Sequence, residues 1–176
     1  MVLEEKTIKS DKIYTGKIVS LRVDTVEIPE KGYSKREIIE HGGAVGIVAI
    51  TDENKIVLVK QFRKPIEDAL VEIPAGKLEI GENPKECAIR ELQEETGYTA
   101  DNIKLIHKFY SSAGFSNEKI FIYLATGLTP GETMLESDEF LDVMEVDVKE
   151  AFEMVIKNEI EDAKTSIGIL MTKDLI

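Results

Sequence analysis

The sequence predicts an α/β (α+β) chain: a mixed central sheet with helices on two faces, preceded by a small antiparallel β segment. Three observations carry this. Strand-like apolar runs outnumber helical patterns, one of them (44–50) is nearly continuous, and the helical patterns fall late enough to cover both sides of a sheet.

Residues 1–40 differ in texture from the rest of the chain. Stretches 12–18, 21–28 and 35–40 alternate in part and are split by Gly16 and by a turn at 29–32. Three such strands bury little alone, so this segment is expected to pack on the main domain or on a second subunit, making the protein a homodimer. The main domain is expected over 41–176. There, 44–50 and 56–62 read as a hairpin about the Asp52–Asn54 turn, and 70–74 as a further strand. Beyond the central helix, 103–110 and 120–126 form a strand pair around the loop 111–119. Residues 130–139 make a polar, acidic connection and 142–146 alternate as a strand. Two short helices close the chain at 148–157 and 162–171.

The central helix has a clear start and stop. Asn83 can cap it, Pro84 suits its first position, Glu86 stands three residues after the cap, and Gly97 ends it. Ala88, Ile89 and Leu92 supply its apolar side. Glu91, Glu94 and Glu95 are three and four apart and share a face, where like charges destabilise a helix by about a few tenths of a kcal/mol per pair. A solvated acidic face is the plain alternative. The glycine-punctuated loop before the helix, with Gly76 and Gly81 following an apolar strand, favours a site for a hard divalent cation, Mg²⁺ or Mn²⁺, which takes carboxylate oxygen and substrate phosphate.

Gly76, Glu82 and the run Arg90-Glu91-Leu92-Gln93-Glu94-Glu95-Thr96-Gly97-Tyr98 resemble the Nudix box, with every charged and glycine position filled; Tyr98 stands where an aliphatic residue is more usual. The resemblance implies an α/β/α sandwich that hydrolyses a nucleoside diphosphate linked to another group. It assigns the metals to Glu91, Glu94 and Glu95, with the carbonyl of Ala75 as an added ligand. Glu82 and Arg90 would tie loop to helix as an ion pair.

Other residues are candidates for the remaining work. Glu136, Asp138 and Glu139 lie in the acidic connection and can activate water; resemblance to the ADP-ribose pyrophosphatase branch points to Glu136, with Glu139 as the alternative. Arg63 and Arg36 match substrate-binding arginines of that branch, and arginine gives the planar, two-pronged phosphate recognition that lysine lacks. The loop 111–118 resembles the branch's Ser-Pro-Gly segment through Gly114 and Glu118, while Ala113 replaces the proline and leaves the loop freer. His41 and His107 are isolated and are expected to be structural.

Composition narrows the function classes. The 176 residues suffice for one domain with a real core. Lysine and arginine number 22 against 34 aspartates and glutamates, a net charge of −12, which repels nucleic acid. The single cysteine, Cys87, leaves no internal disulfide and fits a reducing cytoplasm, and no apolar run is long enough to span a membrane. A small nucleotide substrate is the expected partner. ADP-ribose or a related nucleoside diphosphate sugar comes first. The alternatives are another nucleoside diphosphate derivative (a dinucleoside polyphosphate or modified nucleoside triphosphate) and a non-catalytic nucleotide-sensing module.

Overall fold

The structure, a computed structural model, describes residues 4–135 and 140–172. The chain divides into two compact units, Met1–Gly43 with Phe109–Lys119, and Ala44–Lys108 with Ile120–Ile176.

The first unit holds an antiparallel sheet of β1 (Lys6–Thr15), β2 (Val19–Ile28) and β3 (Gly32–His41), in the order β1-β2-β3. β2 and β3 pair without interruption from Val19↔His41 to Ile28↔Gly32, whereas β1 slips register twice. The strand expected at 12–18 is cut at Gly16, whose N–H donates to the Val19 carbonyl at 2.9 Å and reverses the chain. The 109–119 loop joins this unit through β3: Ile39 N–H donates to the Phe115 carbonyl, and Asn117 N–H to that of Ile39.

The second unit is built on a sheet in the order β10-β5-β4-β9-β8, from β4 (Ala44–Ile50), β5 (Lys55–Arg63), β8 (Thr99–Tyr110), β9 (Lys119–Thr129) and β10 (Leu141–Asp147), with β6 (Asp68–Glu72) and β7 (Ala75–Lys77) alongside. β4 and β9 run parallel while β4–β5 and β5–β10 are antiparallel, so the sheet is mixed. Helices α1 (Pro84–Thr96), α2 (Val148–Ile156) and α3 (Ala163–Thr172) complete the unit.

Alternation along β4 explains its nearly continuous apolar run. Val45, Ile47 and Ala49 meet Cys87, Ala88 and Leu92 of α1 in one buried cluster. On the opposite face Val48 meets α3 so closely that a Cβ on Gly168 would lie 2.8 Å from its Cγ2. A strand buried on both faces has no room for polar side chains.

The hairpin β4–β5 is paired only at its base, Ala49↔Val57 and Ile50↔Ile56. Beyond that the strands part, β6 taking up β5 from Val59↔Glu72 onward and β7 taking up β4 through Val45↔Gly76. The strand expected at 70–74 therefore ends at Glu72; Ile73 and Pro74 cross the gap, and β7 is an addition too short for periodicity to reveal. Two bonds close the crossing. Ile73 N–H donates to the Thr165 hydroxyl of α3 at 2.8 Å, and Ile47 N–H to the Pro74 carbonyl at 2.8 Å. This splay sets the start of the glycine-containing loop against α1. Among the described residues no helix is long and apolar enough to cross a membrane.

Candidate active site

α1 forms as its caps require. Asn83 accepts from Lys85 N–H at 2.9 Å, Pro84 occupies the first turn, and Gly97, at φ 75°, turns its N–H onto the Gln93 carbonyl. Cys87, not Ile89, completes the buried stripe with Ala88 and Leu92; Ile89 faces outward. The acidic face is thereby rotated toward β7 and the loop at 78–83.

Arg90 is the hub of that face. It donates to both Glu82 oxygens at 3.1 and 3.2 Å, and its Nη1 reaches Glu91 at 2.8 Å and Glu94 at 2.9 Å. The expected Glu82–Arg90 tie is therefore present, and Arg90 also screens the carboxylates from one another. Its hydrogen bonds hold the Glu82 carboxyl below the ordinary range. Glu82 steadies the loop in turn by accepting from Glu79 N–H at 2.9 Å.

Two of the contacts between β7 and the helix shape the site. A Cβ on Gly76 would fall 1.8 Å from the carboxyl carbon of Glu91, so only glycine leaves room for that side chain. Glu95, 4% exposed, accepts from Ala75 N–H at 2.9 Å. Ala75, Glu91, Glu94 and Glu95 are thus gathered where loop and helix meet. Their donors are oxygen only, the chemistry that hard divalent cations take. Glu91 and Glu94 already share one cationic centre, Arg90 Nη1. No three acidic, histidine or cysteine side chains among the described residues stand as a finished metal cage; Glu91 and Glu94 lean on Arg90, and Glu95 on Ala75 N–H. The donor set, oxygen throughout, fits a divalent cation.

Arg63, at the end of β5, is held by Glu72 in a two-pronged pair at 2.7 and 2.8 Å, which keeps it firmly charged; Glu95 adds to the same field. Glu72 is 1% exposed and is also contacted by Lys164 of α3. Burial opposes its charge, but the two cations outweigh that and hold its carboxyl below the usual range. Sequence reasoning misses both Glu72 and Lys164, although a glutamate inside the apolar stretch Ala69-Leu70-Val71-Glu72-Ile73 is an available signal. Cys87 is fully buried with its thiol pushed up to about 12, chiefly by burial and then by Glu82 and Glu91, and is a packed side chain, not a nucleophile. Tyr98 donates to Glu145 of β10 at 2.6 Å, anchoring the helix end.

The remaining candidates fall elsewhere. Arg36, in the first unit, is paired with Glu5 at 2.6 and 2.9 Å. Gly114 and Glu118 lie in the 109–119 loop of that unit, where Glu118 accepts from the Ser111 hydroxyl and stands 3.4 Å from His41 Nδ1. An open cleft of about 320 Å³ lies there, lined by residues including Ile39, His41, Phe115 and Glu118. Glu136, Asp138 and Glu139 lie outside the described residues. The chain leading to them is pinned to α1, Met134 N–H donating to the Glu94 carbonyl at 2.9 Å.

The NUDIX domain pattern matches residues 40–166. The chain is 52% identical over 169 residues to the ADP-ribose pyrophosphatase of Bacillus subtilis (strain 168), covering 95% of this chain and 91% of that one. It is 49% identical over 170 residues to the methanol dehydrogenase activator of Bacillus methanolicus, covering 96% and 92%. With the ADP-ribose pyrophosphatase of Mycobacterium tuberculosis (strain ATCC 25618 / H37Rv) it shares 38% over 168 residues, covering 94% and 81%. A crystal structure of an ADP compounds hydrolase matches 99% of this chain and 95% of its own with a TM-score of 0.88 at 18% identity, a likeness of fold.

Proposed function

Since this chain belongs to the NUDIX family, we propose that it hydrolyses the diphosphate of ADP-ribose, or of a closely related nucleoside diphosphate sugar, to AMP and a sugar phosphate. The observation that carries the reading is the seating of Gly76 against Glu91 and of Ala75 against Glu95, which brings the oxygen donors of loop and helix together.

The chain's own residues divide the work. Glu91, Glu94 and Glu95, with the Ala75 carbonyl, would hold a divalent cation, Mg²⁺ with Mn²⁺ as the alternative. Such an ion, when bound, supplies charge neutralisation at the diphosphate and acidifies water. Arg63 and Arg36 would bind the anionic substrate, and Gly114 and Glu118 are further substrate-binding candidates. Glu136, or Glu139 in its place, takes the proton of the attacking water as its oxygen bonds to one phosphorus. The bridging P–O bond then breaks, and the leaving phosphate carries off the electron pair.

The protein is proposed to act as a homodimer through residues 1–40, where Ile8, Ile13, Tyr14, Ile18 and Tyr33 are exposed; sedimentation showing an active monomer would end that idea. The one cysteine, buried, suits the cytoplasm as its compartment.

The test is an end-point assay with Mg²⁺ on ADP-ribose, GDP-mannose, a dinucleoside polyphosphate and a nucleoside triphosphate. AMP from ADP-ribose is the expected product; turnover of another member alone would reassign the substrate. A second reading comes from the Bacillus methanolicus relative, in which the chain activates a dehydrogenase. A methanol dehydrogenase whose rate is unchanged by the added protein would exclude it.

A further inference from the structure

We propose that Glu72 is a positioning residue, fixing the Arg63 guanidinium so that the edge bearing Nη1 meets the substrate diphosphate. The idea rests on the proposed role of Arg63 in binding that diphosphate, and deepens it.

A carboxylate that is 1% exposed is costly unless it is fully paired. Glu72 is paired from two elements. Arg63 of β5 donates through Nε and Nη2, and Lys164 of α3 contacts the same carboxylate. Lys164, itself largely buried, is held in turn by Asp162 at 3.1 Å, the residue that caps α3 through the N–H and hydroxyl of Thr165. The clamp is therefore built into the packing of strand and helix, not hung on the surface.

The two-pronged pair occupies one edge of the guanidinium, Nε and Nη2. Nη1 belongs to the other edge, and the Arg63 side chain is 39% exposed. Arg63 also feels the charge of Glu95, one of the proposed metal ligands. An unrestrained arginine loses rotamer freedom when it binds phosphate. One held by Glu72 has lost it on folding and binds more tightly for that reason.

A buried ion pair is weak evidence of stability alone, so the test separates positioning from folding. Steady-state kinetics with ADP-ribose and Mg²⁺ are measured for Arg63→Ala, Glu72→Gln, Glu72→Asp and the double variant Arg63→Ala/Glu72→Gln, alongside thermal unfolding and ¹⁵N spectra of the Arg63 side chain. Arg63→Ala is expected to raise KM by about tenfold or more. Glu72→Gln should raise it similarly with kcat little changed, and the double variant should add nothing further. Glu72→Asp keeps the charge but shortens its reach to Arg63 and Lys164 alike. It should fold with a lowered Tm and still raise KM, so the idea stays testable if Glu72→Gln does not fold. The two Nη signals of Arg63 should be resolved in the parent and merge in both Glu72 variants. Unchanged KM in folded Glu72 variants, unchanged KM in Arg63→Ala, or additive effects in the double variant would each overturn the proposal. A parent that does not turn over ADP-ribose defeats the activity reading instead, and the Arg63 signals then judge the clamp by themselves.

Discussion

Gly76 and Glu91 share one small volume: a Cβ on the glycine would lie 1.8 Å from the glutamate's carboxyl carbon and 1.9 Å from one of its oxygens. The glycine at the start of the signature loop is thus needed for a close approach, not for a left-handed backbone. It lets a carboxylate of α1 lie flat against β7 in a position that any side chain at 76 would take.

Gly76→Ala should therefore fold and fail to turn over. The atoms in the way are the far end of a flexible side chain, so Glu91 can swing aside at little cost in stability, and Tm should move by no more than a few degrees. A displaced ligand of about 1 Å or more costs on the order of 10²-fold in rate. A variant with normal kcat would show that Glu91 does not act from this position.

Glu94 and Glu95 look interchangeable in sequence, and the structure separates them. Glu94 is about one-third exposed and pairs with Arg90, whereas Glu95 is buried and is the acceptor for Ala75 N–H. Both Gln variants should lose nearly all turnover, an amide being a poor ligand for a hard cation. Only Glu95→Gln should also lose stability, by about 1–3 kcal/mol, because its buried amide hydrogens need acceptors. Glu94→Gln should melt within about 1 kcal/mol of the parent. Equal melting of the two would contradict the burial of Glu95, and chelation that leaves activity intact would remove the metal role from both.

How legible each element is in the sequence depends on how local its signal is. The capped helix and the two-sided apolar run of β4 are contiguous patterns and can be read directly. β7 is three residues long and gains its partner from β4, some thirty positions earlier, so no periodicity announces it. Spacing assigns Ile89 to the apolar side, but the helix buries Cys87 instead, a choice made by contact with Val45, Ile47 and Tyr123. In the Glu72–Arg63–Lys164 cluster, Glu72 and Lys164 are 92 positions apart, so although a glutamate in an apolar stretch is a local hint, its partners become visible only in three dimensions.

Acid should destabilise the protein through Glu72 and Glu82. Both carboxyls are held below their ordinary 4.5, Glu72 by Arg63 and Lys164 against the opposing effect of burial, and Glu82 first by Arg90. With the folded value below the unfolded one, their contribution is present above about pH 4.5 and is lost as pH falls through the folded values. Tm should be flat from neutrality to about pH 5 and then drop. Lys164→Met removes one partner of Glu72 and raises its folded value, so the drop should begin at higher pH. A profile identical to the parent's would mean that Lys164 does not hold the Glu72 charge.

Kinetics of Glu136 and Glu139 variants decide which residue activates the attacking water. Met134 N–H is bonded to the Glu94 carbonyl, and Gly131 lies so near Gly97 that a Cβ on Gly97 would fall 2.6 Å from the Gly131 oxygen. Leu141, pairing with Gln61, fixes the far end. Glu136 is two residues from the anchor on the acid-bearing helix, and Glu139 is two residues from the sheet. Glu136 is the proposed water-activating residue, with Glu139 as the alternative. Losing a general base typically costs about 10²–10⁴-fold, and a group that touches water, not the substrate's ends, leaves binding alone. Glu136→Gln should lower kcat by roughly that factor with KM little altered, and Glu139→Gln should do much less. The reverse ranking would transfer the role to Glu139, and small, equal losses would mean that water is activated without a protein base from this loop.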